Sequence, residues 1–373
     1  MARSMSLAAV ILASAALAAV MPLAVAQPPG SNPGLPPSAT ATGLAPQMIA
    51  DMAVRQLQAK YNYSDVDLLS FLTNTECLEA TFDSFAAFGE GMDPALFGNG
   101  PAPIGGRKAN LSEEIQVWAE EVARDEIGHV RIIREALGAD APPCPLLDID
   151  EAFEKFFNAA FDTTDVSWDP YKDDINFVLS MFALEEIGAT GDQGVTLFTA
   201  TNGNLTNVAI AGGLAGSAGY QSAADRHILW LRRNETVPEF NVTVAEFMDK
   251  MSALRQLYTG KVHIDQPLIM MDGINIVPTD GNGVTLARTP QQVLNILVGG
   301  SSDGKGWFFP DGVNGRIKTP RPLNPDVPEK LLAQANAPYT VVESADQVDP
   351  LTVKPPKGNA TEELVSQLSN SSG

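Results

Sequence analysis

The sequence is poor in cysteine. Its 373 residues include only two cysteines, so the chain is not a disulfide-rich scaffold. An oxidising compartment would permit one bridge between Cys77 and Cys144. Whether that bridge forms depends on a distance in space that the sequence does not give, because Cys77 falls in the middle of a predicted helix.

Basic residues are scarce relative to acidic ones. The chain has 24 Lys and Arg against 45 Asp and Glu, which gives a formal net charge of -21 and a pI of about 4.4. This balance argues against nucleic acid or an anionic membrane surface as a partner. It is compatible with cation binding or with solubility alone. The hydrophobic content of 45% indicates a globular protein of one large domain or two.

Long hydrophobic runs are absent after the N-terminus, so we predict no membrane anchor. Residues 1–26 have the features of a secretory signal peptide: Arg3, an apolar run over 7–20, and Ala24-Val-Ala26 as a cleavage site. The polar C-terminus lacks the apolar tail of a GPI anchor. We therefore predict a secreted protein, extracellular or in the cell wall. A glycoprotein is favoured by seven Asn-x-Ser/Thr sequons, at Asn62, Asn110, Asn204, Asn234, Asn241, Asn359 and Asn370.

Composition divides the mature chain into four parts. Residues 27–46 form a flexible leader rich in Pro and Gly, and residues 47–260 carry the helical patterns. Residues 261–318 form an irregular extension whose aromatic segment, 304–317, is expected to pack back on the helices. Residues 319–373 are Pro-rich and polar, and we predict that this tail is disordered.

Apolar periodicity predicts a mainly α protein with four long helices. The long helices are expected over 65–88, 112–137, 175–190 and 207–231, and shorter ones over 48–61, 146–161 and 289–297, with a small hairpin between 274–277 and 284–286. Asp65 or Asp67 is expected to cap the first long helix, Ser112 the second and Thr289 the last short one.

The second long helix contains Glu126-Ile-Gly-His129 on its apolar side. Ile115, Val122 and Ile133 share that side, so both polar groups need a partner that offsets their desolvation. Glu-x-x-His facing inward from a bundle helix is half of a carboxylate-bridged di-iron site. The alternative is a buried ion pair or a hydrogen-bonded core histidine. Four residues alone do not decide between these interpretations.

The other long helices offer further candidate ligands. Glu76 and Glu79 lie on the largely apolar first helix, and Glu185-Glu186 interrupts a very apolar third helix. One of these two adjacent acids should be buried, although the helical wheel does not choose between them. The inward stripe of the fourth helix is predicted to contain Ile210, Leu214, Ser217, Gln221, Asp225 and Ile228. His227 lies off this stripe and His263 in a turn-rich stretch, so both are expected to be structural.

Several separate motifs together resemble the plant and algal desiccation-related proteins, a secreted branch of the ferritin-like superfamily. They occur in order between residues 60 and 320: Asp65-Val-Asp-Leu-Leu69, Asn74-Thr-Glu-Cys-Leu-Glu-Ala80, Gly100-Pro-Ala-Pro-Ile-Gly105, Lys108-Ala-Asn-Leu111, Glu126-Ile-Gly-His129, Asp169-Pro-Tyr171, Ile175-Asn-Phe177, Thr289-Pro290, Val293-Leu294, Phe308-Phe-Pro310 and Asn314-Gly-Arg-Ile317. The resemblance implies a ferritin-like four-helix bundle with a C-terminal irregular extension, and a role in drought or other stress. It brings no defined enzymatic activity.

The resemblance also implies a ligand set. Glu76 matches the first-helix carboxylate, Glu126 and His129 the second-helix pair, and Glu185 the third-helix acid. The fourth-helix Glu is absent near Ala218, and Gln221 stands where a His is expected, which leaves Gln221 and Asp225 as weaker oxygen donors on that helix. Such a reduced set suits one Fe, Mn or Zn ion and no organic cofactor.

Three functions follow from this pattern. The first is a non-catalytic, secreted stress protein with a degenerate carboxylate/His metal site. The second is an extracellular oxidoreductase that removes peroxide or oxidises Fe(II). The third is a module whose aromatic segment binds wall polymer or a partner chain, and homo-oligomer contacts are equally compatible with the sequence. Whether the protein is an enzyme stays undecided at this point.

Overall fold

We describe the fold from a computed structural model of the chain. It describes residues 45–270, 273–280 and 283–320. The predicted signal peptide, nearly all of the leader and nearly all of the tail lie outside the described residues.

The described residues are mainly α-helical, as the sequence predicts. The helices are α1 Ala45–Tyr61, α2 Asp65–Phe88, α3 Glu113–Leu137, α4 Glu151–Ala160, α5 Asp174–Asn202, α6 Leu205–Leu231, α7 Val244–Thr259 and α8 Pro290–Leu297, with short 3-10 turns at Pro94–Phe97 and Gly138–Asp140. Two antiparallel strand pairs join β1 Thr236–Val237 to β2 Val242–Thr243 and β3 Ile269–Met270 to β4 Gly273–Ile274. Within these ranges no helix is long and apolar enough to cross a membrane.

The four long helices α2, α3, α5 and α6 form the bundle. α2 pairs with α3, and α5 pairs closely with α6. The N-termini of α3 and α5 meet at one end, where the backbone N–H of Ser112 donates to Asp174. The C-terminus of α5 meets the start of α2 at the other end, where Asn202 donates to Asp65. α2 and α6 therefore run in one direction, and α3 and α5 in the other.

Side-chain caps fix where these helices begin. Ser64 caps α2, and the Asp67 carboxylate accepts a hydrogen bond from the Ser64 backbone N–H. The expected cap, Asp65 or Asp67, is therefore wrong by one to three residues. Ser64 fits better because its extended backbone lets the hydroxyl reach the Asp67 N–H. The expected caps Ser112 and Thr289 are confirmed.

Helix α5 ends twelve residues later than predicted, at Asn202 instead of residue 190. Three glycines, at 188, 191 and 194, lie near the predicted end. Because glycine has a poor helix propensity, the sequence does not predict that the helix continues past them. Each is a point of close approach. A Cβ added at Gly194 would lie 1.8 Å from the Arg288 carbonyl oxygen, and one at Gly191 would lie 2.8 Å from Val293. Packing against the extension therefore overrides local propensity.

Helix α6 is rotated slightly from its predicted orientation. Leu214, Gln221 and Asp225 are buried as expected, whereas Ile210, Ser217 and Ile228 are only half-buried. Arg226, for which the periodicity gives no inward role, is fully buried. It turns inward because Glu186 on α5 offers it an ion pair.

Cys77 and Cys144 form a disulfide with Cα atoms 5.8 Å apart. The bond ties the middle of α2 to the segment before α4, across 67 residues of sequence. A loop of this size corresponds to roughly 4 kcal/mol of lost unfolded-state entropy in the chain-entropy model. The question left open by the sequence is therefore settled in favour of the bridge.

The extension packs on the bundle through its aromatic segment. Phe308 and Phe309 are fully buried, and Phe308 contacts Phe153 and Phe156 of α4. The backbone of Asn314 bonds with the Asn74 side chain on α2. Since these two rings complete the core, they are not exposed to solvent.

The hairpin of the extension differs from the expectation. Ile269–Met270 pairs with Gly273–Ile274, so Ile274 is the one residue of the predicted partners 274–277 and 284–286 that lies in a strand. The turn around Asp280, whose backbone N–H donates to the Val284 carbonyl, takes their place.

Candidate metal centre

Three side chains from two helices meet in the bundle. The Nδ1 atom of His129 lies 3.1 Å from Oε2 of Glu76 and 3.2 Å from the carboxylate of Glu126. Helix periodicity puts Glu126 and His129 on one face of α3, one turn apart, and α2 brings Glu76 opposite them. One donor atom from each residue lies within 4.8 Å of the others, which makes this the one such group of three or more found among the described residues.

We call Glu76, Glu126 and His129 the triad. Gln221 of α6 contacts this triad. Its Nε2 donates to Oε1 of Glu126 over 3.0 Å. Its own Oε1 is buried and finds no hydrogen-bond partner in the described part of the chain. The fourth helix thus contributes an amide that orients Glu126 and leaves one oxygen free for a ligand.

The adjacent acids of α5 have opposite environments. Glu186 accepts two hydrogen bonds from Arg226, at 3.0 and 3.1 Å, and one from Ser222. Glu185 is equally buried, yet neither of its carboxylate oxygens has a partner within the described residues. Glu185 is thus the free acid of the pair, on the side where Glu126 and Glu79 interact with it electrostatically.

Glu79 is also buried and lies against α5. A Cβ at Gly188 would come within 2.6 Å of Glu79 Oε1, so the glycine makes room for this carboxylate one turn from Glu185. Glu79 does not belong to the triad, although it interacts electrostatically with Glu76 and Glu126. The structure therefore places the six predicted ligands in one region, but brings only three of them into direct contact, with Gln221 bonded to one of these.

The sequence analysis missed Asp192. This buried residue of α5 interacts electrostatically with Glu76 and His129. It follows Glu185 by seven residues, two helical turns, so it continues the same face. That spacing was a usable signal, but the predicted end of α5 at residue 190 excluded it.

Burial and mutual repulsion keep protons in this region. Burial raises the pKa of Glu76 to about 7, with His129 opposing the rise and Glu126 adding to it. Burial lowers the pKa of His129, but the Glu76 and Glu126 carboxylates outweigh it and raise the value to about 12. Burial raises the pKa values of Glu79, Glu185 and Asp192 well above the ordinary range, and neighbouring carboxylates raise them further. A bound cation would replace protons that the group otherwise holds.

The donor set fits a metal ion. It combines one imidazole nitrogen, two carboxylates and the free amide oxygen of Gln221, a mixture that suits Fe, Mn or Zn. Protonation offsets part of the buried negative charge, and the Gln221 Oε1 and Glu185 oxygens have no hydrogen-bond partner in the described part of the chain. Such orphaned buried oxygens cost free energy, and a cation would satisfy them.

Comparison with known proteins now defines the family. A family model described as a ferritin-like domain matches residues 64–230, which span α2 to α6. The chain is 37% identical over 244 residues to the desiccation-related protein PCC13-62 of Craterostigma plantagineum, covering 62% of this chain and 76% of that protein. This chain belongs to the plant desiccation-related, ferritin-like family.

A second relative of this ferritin-like chain carries an activity in its name. The chain is 31% identical over 271 residues to the ferritin-like catalase Nec2 of Nesocodon mauritianus, covering 68% of this chain and 85% of that protein. A comparison with solved structures gave no significant match. The predicted family and the ferritin-like fold are confirmed by these findings.

Proposed function

We propose that this protein is a secreted, metal-binding stress protein in which Glu76, Glu126 and His129 hold one Fe, Mn or Zn ion inside the bundle. The observation that supports this best is the position of His129 Nδ1 within 3.2 Å of two buried carboxylates. A simple ion pair accounts for one of these contacts. It does not account for the second carboxylate or for the free oxygen of Gln221 beside them.

Secretion is supported by features of the described chain. Disulfides persist in oxidising compartments and are rare in the cytosol, and Cys77 is bridged to Cys144. The five sequon asparagines in the described part are all exposed, as a glycan requires. These five are Asn62, Asn110, Asn204, Asn234 and Asn241.

Metal content tests the proposal directly. We expect the purified secreted protein to retain about one Fe, Mn or Zn ion per chain, as the single imidazole allows. His129→Gln should lose it, whereas His227→Gln should keep it, because His227 is an exposed histidine of α6. Metal-free wild-type protein that takes up no ion on addition of Fe(II), Mn(II) or Zn(II), measured by elemental analysis after gel filtration, would contradict the proposal.

A second candidate function is peroxide removal, in which two molecules of H2O2 yield two of water and one of O2. It is favoured by the 31% identity to a ferritin-like catalase across 85% of that protein. A bound Fe or Mn would supply the redox chemistry. The chain itself would supply proton-holding groups, since Glu76 and His129 both have raised pKa values, and partial access, since 12% of the His129 side chain is exposed.

Oxygen evolution separates the two candidates. If the protein is a catalase, the metal-loaded wild type should release O2 from H2O2, and Glu76→Gln should abolish the release while His227→Gln leaves it unchanged. If metal is bound at full occupancy without oxygen release, peroxide removal is excluded and the first candidate is retained.

A further inference from the structure

A cavity of about 130 Å³ lies between α1, α5 and the extension. Its lining is mainly apolar and includes Ile49, Val54, Leu197, Phe198, Ile264 and Leu286. On α5 it also includes Gly194. Since each residue turns a helix by about 100°, Gly194 lies about 200° around α5 from Asp192, which interacts with the triad. The cavity is therefore on another side of α5 from the candidate metal centre.

The wall that the extension contributes is fixed to α5. The backbone N–H of Arg288 donates to the Thr190 carbonyl over 2.8 Å. Its guanidinium donates to the hydroxyls of Thr259 and Thr190, at 2.9 and 2.7 Å, and to Asp265. The next residue, Thr289, caps α8. Because these contacts hold the backbone on both sides of the lining, the cavity is formed before any ligand binds, as ligand sites usually are.

The volume of the cavity limits the size of its ligand. Protein interiors contain few voids larger than a water molecule, and an apolar cavity of about 150 Å³ in another protein binds benzene. A space of about 130 Å³ therefore suits a single six-membered ring with a small substituent. Val284 and Thr285 line the cavity and are exposed, so a ligand can enter beside them.

The charged side chains of the lining are already paired. Among the described residues that line the cavity, only Asp51 and Arg288 are ionisable. Asp51 pairs with Arg55 over 2.8 Å, and Arg288 pairs with the buried Asp265. A charged ligand would lose its hydration here without gaining a counter-ion. The cavity therefore favours an uncharged molecule.

One polar side chain of the lining is available for a hydrogen bond. Gln193 is half-buried, and its amide makes no hydrogen bond within the described residues. Gln292, by contrast, accepts a bond from the Thr289 N–H and donates to the Thr259 carbonyl. Gln193 lies where the cavity meets a second one of about 60 Å³, since both linings share it. Its amide offers a ligand hydroxyl both a donor and an acceptor.

We propose that this cavity is a binding site for one small, uncharged phenol, separate from the metal centre. The ring fills the apolar space between α1 and Leu286, and the hydroxyl bonds to the Gln193 amide. A phenol stays protonated, and so uncharged, at neutral pH. A rigid ring also loses less conformational entropy on binding than an open chain of similar size.

Calorimetric titration of the purified secreted protein with phenol tests the proposal. We expect one saturable site with a Kd on the order of 0.1–1 mM, which is the affinity that a ligand of this size can reach. Benzoate has the same ring but carries a negative charge. It should bind at least about tenfold more weakly, because no unpaired positive group awaits it.

A matched pair of variants on α1 assigns the binding to the cavity. Ala53 is buried in the lining, so Ala53→Phe should fill the space and weaken phenol binding at least about tenfold. Ala59→Phe makes the same change at an exposed position of α1 outside the lining. It should leave phenol binding within about twofold of the wild type, because the cavity keeps its shape.

Gln193→Leu tests the polar contact at a half-buried position that tolerates substitution. It should weaken phenol binding about three- to tenfold, as the loss of one hydrogen bond does. Binding of toluene, which lacks the hydroxyl, should change less than about twofold. His129→Gln should leave phenol binding unchanged while it removes the metal of the triad, so this proposal and the proposed function can fail separately.

Three results would overturn the proposal. The first is the absence of saturable phenol binding by the wild type. The second is benzoate binding as tight as phenol binding, since the cavity would then hold an unpaired positive group. The third is phenol binding of wild-type strength in Ala53→Phe or in Gln193→Leu, with circular dichroism showing that the variant is folded.

Discussion

Two buried charged regions meet at α5 and are built on opposite principles. In the first, which we call the arginine network, the buried guanidinium groups of Arg226, Arg255 and Arg288 pair with Glu186 and Asp265. In the second, the triad and the nearby buried acids Glu79, Glu185 and Asp192 place several carboxyl groups near a single histidine. In the first region both acids are paired with arginine, whereas in the second the acids outnumber the one basic group.

The boundary between the two regions lies between neighbouring residues. Glu186 has a lowered pKa because Arg226 and Arg255 outweigh the effect of burial. Burial raises the pKa of Glu185, and the acids around it raise it further. The same residue type on the same helix is thus paired with arginine at one position and has no hydrogen-bond partner among the described residues at the next. Burial alone does not distinguish a structural acid from a ligand, whereas the partners do.

The largest effect is expected from breaking the arginine network. Glu186→Gln leaves the Arg226 charge buried without its partner, and the loss of one member of a buried pair typically costs ~3–5 kcal/mol. Chemical denaturation should therefore show a clear fall in the free energy of unfolding, with or without metal. A variant as stable as the wild type would show that Arg226 is not held by this pair.

The stability of the metal-free protein should fall as the pH rises. Carboxyl groups with raised pKa values favour the folded state when protonated, so Glu76 contributes below pH 4.5 and loses this contribution as the pH passes about 7. His129, raised to about 12, likewise contributes fully below pH 6.5 and progressively less above it. Each additional proton that the folded state holds changes the slope of the free energy of unfolding against pH by about 1.4 kcal/mol per pH unit.

Melting temperatures between pH 5 and pH 8 test this second prediction. The metal-free protein should melt higher at pH 5 than at pH 8, and the metal-loaded protein should lose or reverse that trend because the ion replaces the protons. A melting temperature that rises with pH in both forms would contradict the charge balance described for the triad.

A third, smaller effect should come from Glu185→Gln, the matched counterpart of Glu186→Gln. Removing a buried carboxylate from among other acids relieves repulsion, so the metal-free variant should be as stable as the wild type or about 1 kcal/mol more stable. A destabilisation as large as that of Glu186→Gln would show that Glu185 has a structural partner.

The smallest effect concerns Gly188, whose missing side chain lets Glu79 lie close to the α5 backbone. Gly188→Ala adds a methyl carbon that would lie 2.6 Å from Glu79 Oε1, so the carboxylate would have to move. The gain in helix propensity, ~1 kcal/mol, should offset part of the strain, so stability should change little. Chemical denaturation of the metal-free variant should therefore give a free energy of unfolding within about 1 kcal/mol of that of the wild type. A loss of several kcal/mol would show that Glu79 cannot move away from the added methyl group.

Local patterns predict most of the bundle and the core of the candidate site. Periodicity alone places Glu126 and His129 on a buried face, and the structure agrees with that placement for Glu126, which is buried, and for His129, which is nearly so. Long-range contacts explain what was missed. Asp192 was excluded because packing of the extension, and not helix propensity, extends α5. The choice between Glu185 and Glu186 depends on Arg226, whose partner lies 40 residues away in sequence.

Anomalous diffraction from crystals of metal-loaded protein tests the central claim most directly. Data collected at the absorption edges of Fe, Mn and Zn should show a peak at metal-bonding distance, about 2.0–2.2 Å, from His129 Nδ1 and from oxygens of Glu76 and Glu126. A map without any anomalous peak in the bundle, with His129 still bonded directly to both carboxylates, would contradict the account.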